Sequence, residues 1–330
     1  MAARFERNIQ RRTASIFSCL RQRETFCVGS AARGGRSGAL FAFTINNNRS
    51  DRTQYFPQHQ QTPAVYTIAS LYRIVTYDGA APFTNAPERQ ILQAARPWAV
   101  WQPTERWAAL VDETGWGVGV YSPETPELGG GYYMGTSGRT SDDACGALFY
   151  NTMDVLDCNM VYDYEFWIVV GDVPTIRSWV YRNRKPAQEP IWQFDRDRRH
   201  WWFMDLTDQG WPISGSLKLI LDQNDPQLFG PFGLWQAADI PKLYIRAAYR
   251  TKSSTTAQVY FSNLGDAGFT GPKAVSFQII PDGQIRTYEV NLAASPLYTG
   301  TITQFRFDPV YTGGPGETMD LYYISYKKIE

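Results

Sequence analysis

The feature that most constrains the fold is a series of short apolar segments between residues 217 and 326. Apolar and polar residues alternate along most of them, and turn signals such as Asp282-Gly283 and Gly313-Gly314-Pro315 separate them. The segments are LKLIL (217–221), LYIRAAY (243–249), TAQVYF (256–261), AVSFQII (274–280), IRTYEVNL (285–292), ITQFRFD (302–308) and MDLYYISY (319–326). Short strands at near-regular spacing, with almost no helical periodicity, predict an all-β sandwich.

Residues 51–185 give a second pattern of the same kind. ERWAALVDETGWGVGVYS (105–122) predicts a β-hairpin, and VYDYEFWIVVGD (161–172) predicts a long strand with one end buried on both faces. Pro174 opens the one segment with helical spacing, in which Ile176, Trp179 and Val180 share a face. We therefore expect a second β-sandwich with a single helix. The start of such a domain is not recognisable in residues 1–50, so an incomplete sandwich is one interpretation of residues 51–185.

Two segments differ from these sandwiches. NRKPAQEP (183–190) is polar and carries two prolines, which indicates a linker between residues 51–185 and a second domain at 190–330. Residues 1–50 carry nine arginines against Glu6 and Glu24, with little apolar alternation. This composition is typical either of an irregular start or of an organellar targeting segment, and we expect residues 1–45 to be dispensable for folding.

Composition and charge limit the partners. Lys+Arg 32 balance Asp+Glu 32, and no apolar run reaches the roughly 20 residues that cross a bilayer, so neither nucleic acid nor a membrane is expected as a partner. The most aromatic stretch, WQFDRDRRHWWFMDLTDQGW (192–211), interleaves its arginines with aspartates that would repel phosphate. The 11 Trp and 20 Tyr suit pleated sheets and surfaces that stack on sugar rings.

A family resemblance is carried by the second domain. WQFD at 192, HW at 200, GW at 210 and GSLKL…DPQL are followed by KLYIRAAYRT…TTAQVYF and ITQFRFDP…GPGETMDLYYISY. In order and spacing, residues 192–330 resemble the carbohydrate-binding-module-like jelly-roll domains of bacterial secreted polysaccharide-active proteins. The resemblance implies a jelly roll, a polysaccharide partner and an extracellular location.

Residues 52–185 resemble a known family more weakly. PAVYTIASLYRIVTYDGAAPFTNAP and WAALVDETGWGVGVYSP are similar to the sandwich that precedes such modules in bacterial secreted proteins. The resemblance suggests kinship with sandwiches of the galactose-mutarotase type.

A structural calcium ion is the single cofactor that the resemblance suggests. Such domains often carry an acidic residue in the last strand, where this chain has Tyr322. Asp320 lies on the same face two residues earlier, so Asp195 and Asp320 are the candidate ligands, although calcium takes six to eight oxygens. With no Cys-x-x-Cys pair and two histidines, no zinc site of normal spacing is expected.

Catalysis would need two carboxyl groups about 5 to 10 Å apart across a sugar. The candidates are Asp142 and Asp143 after a glycine-rich loop, and Glu124 and Glu127 in SPETPELGGGYY. His59 is a candidate acid or base because its unperturbed pKa lies near neutrality. For all five residues, ordinary loop roles are the competing interpretation.

The preferred functional hypothesis is carbohydrate recognition by aromatic stacking. Trp201 and Trp202 are adjacent, so on one regular strand they face opposite ways, and one ring is left for a ligand or for the neighbouring domain. Trp211 and Trp235, beside glycine or proline, are the other candidate platforms. The alternatives are a glycoside hydrolase or polysaccharide lyase with its site in residues 51–185, and a structural or adhesive surface protein.

Overall fold

The chain forms two domains built almost entirely of antiparallel strands. This computed structural model describes residues 38–47, 58–68, 70–91, 99–125, 127–133, 145–154, 160–186, 188–209 and 212–330. The predictions for residues 1–37, Asp142, Asp143 and Trp211 fall outside this part of the chain.

The first domain contains ten strands and one helix among the described residues. They are β1 (Gly38–Asn47), β2 (Gln58–Tyr66), β3 (Arg73–Thr76), β4 (Arg89–Ile91), β5 (Ala99–Trp101), β6 (Trp107–Val111), β7 (Trp116–Tyr121), β8 (Leu128–Tyr133), β9 (Cys145–Asp154), β10 (Met160–Asp172) and α1 (Val173–Asn183). One sheet has the order β1-β10-β7-β6-β3-β4, and the other has the order β2-β9-β8-β5. The predicted hairpin is β6–β7, with Val111 opposite Gly117.

Helix α1 covers the outer face of the first sheet. The Asp172 carboxylate accepts a hydrogen bond from the Thr175 backbone N–H at 2.8 Å, which caps the helix, and Pro174 lies in its first turn. The buried face consists of Val173, Ile176, Trp179 and Val180. Strand β6 is therefore buried on both faces, by α1 on one side and by the second sheet on the other. No helix in the described ranges is long and apolar enough to span a membrane.

Strand β1 corrects the prediction of an irregular segment over residues 1–50. Gly38–Asn47 pairs with β10 along its whole length, from Gly38 opposite Val169 to Asn47 opposite Met160. Eight of the nine arginines precede residue 38, so the composition of the whole segment concealed the strand GALFAFTINN. The first domain thus includes Gly38–Asn47, and we expect residues 38–45 to be needed for this sheet.

Within residues 188–209 and 212–330, the second domain forms twelve short strands. They are β11 (Ile191–Gln193), β12 (Trp202–Met204), β13 (Thr207–Gln209), β14 (Leu217–Ile220), β15 (Gln227–Phe229), β16 (Trp235–Gln236), β17 (Lys242–Arg250), β18 (Thr256–Asn263), β19 (Ala274–Gln278), β20 (Arg286–Asn291), β21 (Thr301–Asp308) and β22 (Thr318–Ser325). All seven segments predicted between residues 217 and 326 are strands.

The strand order of the second domain is that of a jelly roll. One sheet contains β14-β22-β17-β20 and the other contains β15-β21-β18-β19. When these eight strands are followed in chain order, each one lies in the opposite sheet from the one before it, except that β18 and β19 share a sheet. Strands β11 and β13 extend the first sheet, and β12 and β16 extend the second. The all-β prediction is confirmed, and the sandwich topology agrees with the predicted jelly roll.

We expect a fragment of residues 188–330 to fold alone. The large apolar core of this domain is formed within residues 192–326. Starting at Gln188 keeps the carbonyl that accepts from Trp235 Nε1 at 2.8 Å. The fragment should give a cooperative thermal transition with β-type circular dichroism, as an independent domain does. A product that binds hydrophobic dyes and melts without cooperativity would contradict this boundary.

Candidate functional site

A cleft of about 470 Å³ lies between the two domains. The first domain, the linker and the second domain all contribute to its walls. The lining residues are Pro123, Glu124, Thr125, Asn151, Thr152, Met153, Lys185, Pro186, Gln188, Asp197, Arg199, His200, Trp202, Gly230, Pro231, Phe232 and Gln304. Its size and its mixture of apolar and polar groups are those of a small-molecule site.

The loop after β11 positions the second domain's side of the cleft. Arg199 and His200 both have left-handed backbone conformations, with φ of 52° and 60°. Arg199 is held by its own backbone N–H donating to Asp197 Oδ1 at 2.6 Å and by Nε donating to the Gln193 carbonyl at 2.9 Å. Two consecutive non-glycine residues with left-handed backbone conformations store strain, and such strain is common at ligand sites.

This turn sends the two adjacent tryptophans in opposite directions. Trp201 is 1% exposed and packs edge-on against Trp192, with ring centroids 5.1 Å apart, in the core. Trp202 is partly buried, lines the cleft, and stacks on Phe229 with centroids 3.9 Å apart and planes within 4°. Phe229 therefore fixes the orientation of the Trp202 ring, and Trp201 has no free face for a ligand.

Trp235 also packs in the core rather than at the surface. It is 7% exposed, stacks on Phe305 at 5.4 Å, and donates from Nε1 to the linker carbonyl of Gln188. Its indole thus fixes the linker to the second domain, which leaves Trp202 as the candidate platform among Trp201, Trp202 and Trp235.

Glu124 is the candidate carboxyl that reaches the cleft from the first domain. Partial burial raises its pKa above the usual range, and the nearby Glu165 carboxylate raises it further, although Lys185 and His200 oppose both effects. Lys185 Nζ forms an ion pair with Glu165 and lies 4.0 Å from Glu124 Oε1. Glu124 is therefore easier to protonate than an ordinary glutamate.

The other catalytic candidates are placed less favourably. Glu127 accepts a hydrogen bond from Asn151 Nδ2 and does not line the cleft, so this bond joins the residue before β8 to the neighbouring strand β9. His59 lies in β2 opposite Met153, but its side chain is outside the described part of the structure.

The two predicted calcium ligands are each paired with arginine. Asp195 Oδ1 lies 3.1 Å from Arg199 Nη2, and Asp320 Oδ2 lies 2.9 Å from Arg250 Nη1. Within the described ranges, no group of three or more His, Cys, Asp or Glu residues could hold a metal ion. This arrangement does not favour calcium at Asp195 and Asp320, and the calcium site stays a sequence prediction.

Neither a family model nor a curated protein matches the chain. Among solved structures, the C-terminal CBM6 of LamC, a marine laminarinase from Zobellia galactanivorans, is similar over 41% of this chain and 98% of its own, with 11% identity and a TM-score of 0.28. A family 43 arabinoxylan arabinofuranohydrolase from Bacillus subtilis is similar over 90% of this chain and 53% of its own, with 11% identity and a TM-score of 0.29. An isomalto-dextranase from Arthrobacter globiformis covers 86% of this chain and 34% of its own, with 10% identity and a TM-score of 0.26.

TM-scores this low give no basis for transferring a ligand or an activity to this chain. The mutarotase-type kinship of residues 52–185 stays a prediction.

Sequence reasoning missed several residues of the cleft. Lys185 and Gln188 belonged to a predicted linker, and Phe232 and Gln304 belonged to the second domain without any functional interpretation. No local pattern marks them, because their common feature is a position at the contact between two domains.

Proposed function

We propose that the chain binds a saccharide in the cleft between its domains, with Trp202 as the stacking platform. The carrying observation is the Trp202 indole at the cleft wall, held flat against Phe229. An aromatic ring fixed in orientation stacks on the apolar face of a pyranose with little loss of side-chain entropy.

The polar residues of the cleft support the same function. Thr125, Gln188 and Gln304 contribute hydroxyl and amide groups to the cleft walls, and such groups bond sugar hydroxyls. A polysaccharide partner and an extracellular location belong to this proposal.

A glycan array probed with the intact chain tests the proposal. We expect at least one glycan to bind, and a bound oligosaccharide at a hundred times its Kd to raise the free energy of unfolding by about 2.7 kcal/mol. Failure of every soluble glycan to bind would contradict saccharide recognition and favour a structural or adhesive role.

Glycoside hydrolysis is a second candidate, favoured by Glu124. Its raised pKa suits a general acid, and Asp197 from the other domain lines the same cleft as a candidate base. Under this alternative, the intact chain releases reducing sugars from a bound polysaccharide. Glu124→Gln should lower that release by about a hundredfold or more while the polysaccharide still binds. A polysaccharide that binds and is never cleaved would rule the alternative out.

A further inference from the structure

The charged groups of the cleft restrict the kind of saccharide that it accepts. We infer that the ligand is an uncharged oligosaccharide rather than a uronate, a sulfated glycan or an amino sugar. This inference rests on the proposed function and deepens it.

The described lining residues include two basic side chains, Lys185 and Arg199, and each already has a carboxylate partner. Lys185 pairs with Glu165 and lies 4.0 Å from Glu124. Arg199 Nη2 lies 3.1 Å from Asp195 Oδ1, and its Nε lies 3.5 Å from Asp197 Oδ1. An anionic sugar would have to break one of these pairs to gain a cation.

The carboxylates and cations around the cleft balance each other. Glu124 Oε1 lies 4.0 Å from Lys185 Nζ, which pairs with Glu165, and the buried Arg106 also interacts electrostatically with Glu124. Asp195 lies beside Arg196, at 3.6 Å, as well as beside Arg199. The cleft therefore offers no surplus positive charge to a carboxylate or sulfate substituent.

An ammonium group would find no strong partner either. Glu165 forms an ion pair with Lys185, and Asp195 and Asp197 accept hydrogen bonds from Arg199. Glu124, the remaining carboxyl of this set, lies 4.0 Å from Lys185 Nζ, so an ammonium group would compete with that lysine. Hydroxyl and amide groups of an uncharged sugar, in contrast, use the polar side chains without displacing an ion pair.

Matched oligosaccharides test the inference with the intact chain. The probes are galactan against galacturonan oligosaccharides, dextran against dextran sulfate, and N-acetylated against deacetylated chitin oligosaccharides. We expect the chain to bind a glycan among the uncharged members of these pairs. Its affinity for that glycan should change less than about twofold between roughly 0.05 and 0.5 M salt. Tighter binding of a charged member, weakened about tenfold or more by the same salt, would overturn the inference.

Two variants sharpen the test. Glu165→Gln releases Lys185 from its ion-pair partner without changing a lining residue, so it should raise affinity for galacturonan or dextran sulfate about threefold or more. Glu189→Gln, which alters the linker carboxylate paired with Lys327 outside the cleft, is the matched control and should have no such effect. An unchanged affinity of the Glu165 variant for both anionic glycans would contradict the charge argument.

The outcomes separate the two proposals. If a charged glycan binds and Trp202→Ala abolishes its binding, saccharide recognition stands and the inference about charge fails. If no member of any pair binds, the proposed function fails.

Discussion

Replacing Glu105 with alanine should lower the free energy of unfolding by about 3 to 5 kcal/mol, because the change removes a buried carboxylate that accepts hydrogen bonds from three side chains and one backbone N–H. The Glu105 side chain is 0% exposed. Its oxygens accept from Arg177 Nη2 at 2.8 Å and from Arg177 Nε at 2.9 Å. Trp107 Nε1, Tyr181 OH and the Phe83 backbone N–H donate to the same carboxylate. Urea unfolding of the two proteins at neutral pH measures the difference.

The effect should depend on pH in a defined direction. Burial alone would raise the pKa of Glu105, but the hydrogen bonds led by Arg177 outweigh it and hold the pKa below the usual range. A lowered folded-state pKa contributes stability that is fully present above the unfolded pKa of about 4.3 and is lost as pH falls through the folded value. The stability difference between the wild type and Glu105→Gln should therefore shrink in acid.

Glu88 provides a matched control for Glu105. It also pairs with Arg177, at 3.0 Å, but its side chain is 40% exposed. Glu88→Ala should cost at most about 1 kcal/mol, as exposed ion pairs do. If Glu88→Ala and Glu105→Ala lower the free energy of unfolding equally, the hydrogen bonds to the buried Glu105 carboxylate are not what holds α1 against the loop before β4.

The strands of the second domain were predictable because their cause is local. Alternation at period two and turn residues such as Asp282-Gly283 fix both the element and its buried face. Strand β1 was missed for a different reason: its partner β10 follows more than a hundred residues later, and the arginines before it dominated the composition. Pairing across that separation stabilises a strand that its own segment marks weakly.

The Glu105 network and the cleft were beyond sequence reasoning. Glu105 and Arg177 are 72 residues apart, and the sequence around neither residue distinguishes a buried pair from two surface charges. The placement of the Trp202 ring was predicted in part, because alternation implies that one of two adjacent rings faces outward. Which ring does so, and that it meets a cleft, depends on the left-handed turn at Arg199 and His200.

Replacing Trp202 with alanine should weaken saccharide binding about thirtyfold or more, as loss of a central aromatic anchor typically does. The ring lines the cleft and its stacking on Phe229 is worth about 0.5 to 1.5 kcal/mol, so we expect a modest loss of stability. Trp201→Ala should instead cost about 3 to 5 kcal/mol, because that ring is enclosed in the core. Calorimetric titration and denaturant unfolding of both variants separate the two roles.

Met204→Ala is the matched control for Trp202→Ala on the same strand. Its side chain is 46% exposed and does not line the cleft, so both binding and stability should stay near wild type. The contrast isolates the indole, because both side chains leave β12 on the same face of the sheet. If the Trp202→Ala variant binds every glycan as tightly as the wild-type chain does, the stacking platform lies elsewhere. A stability loss as large as that of Trp201→Ala would mean that Trp202 serves the contact between the domains rather than a ligand.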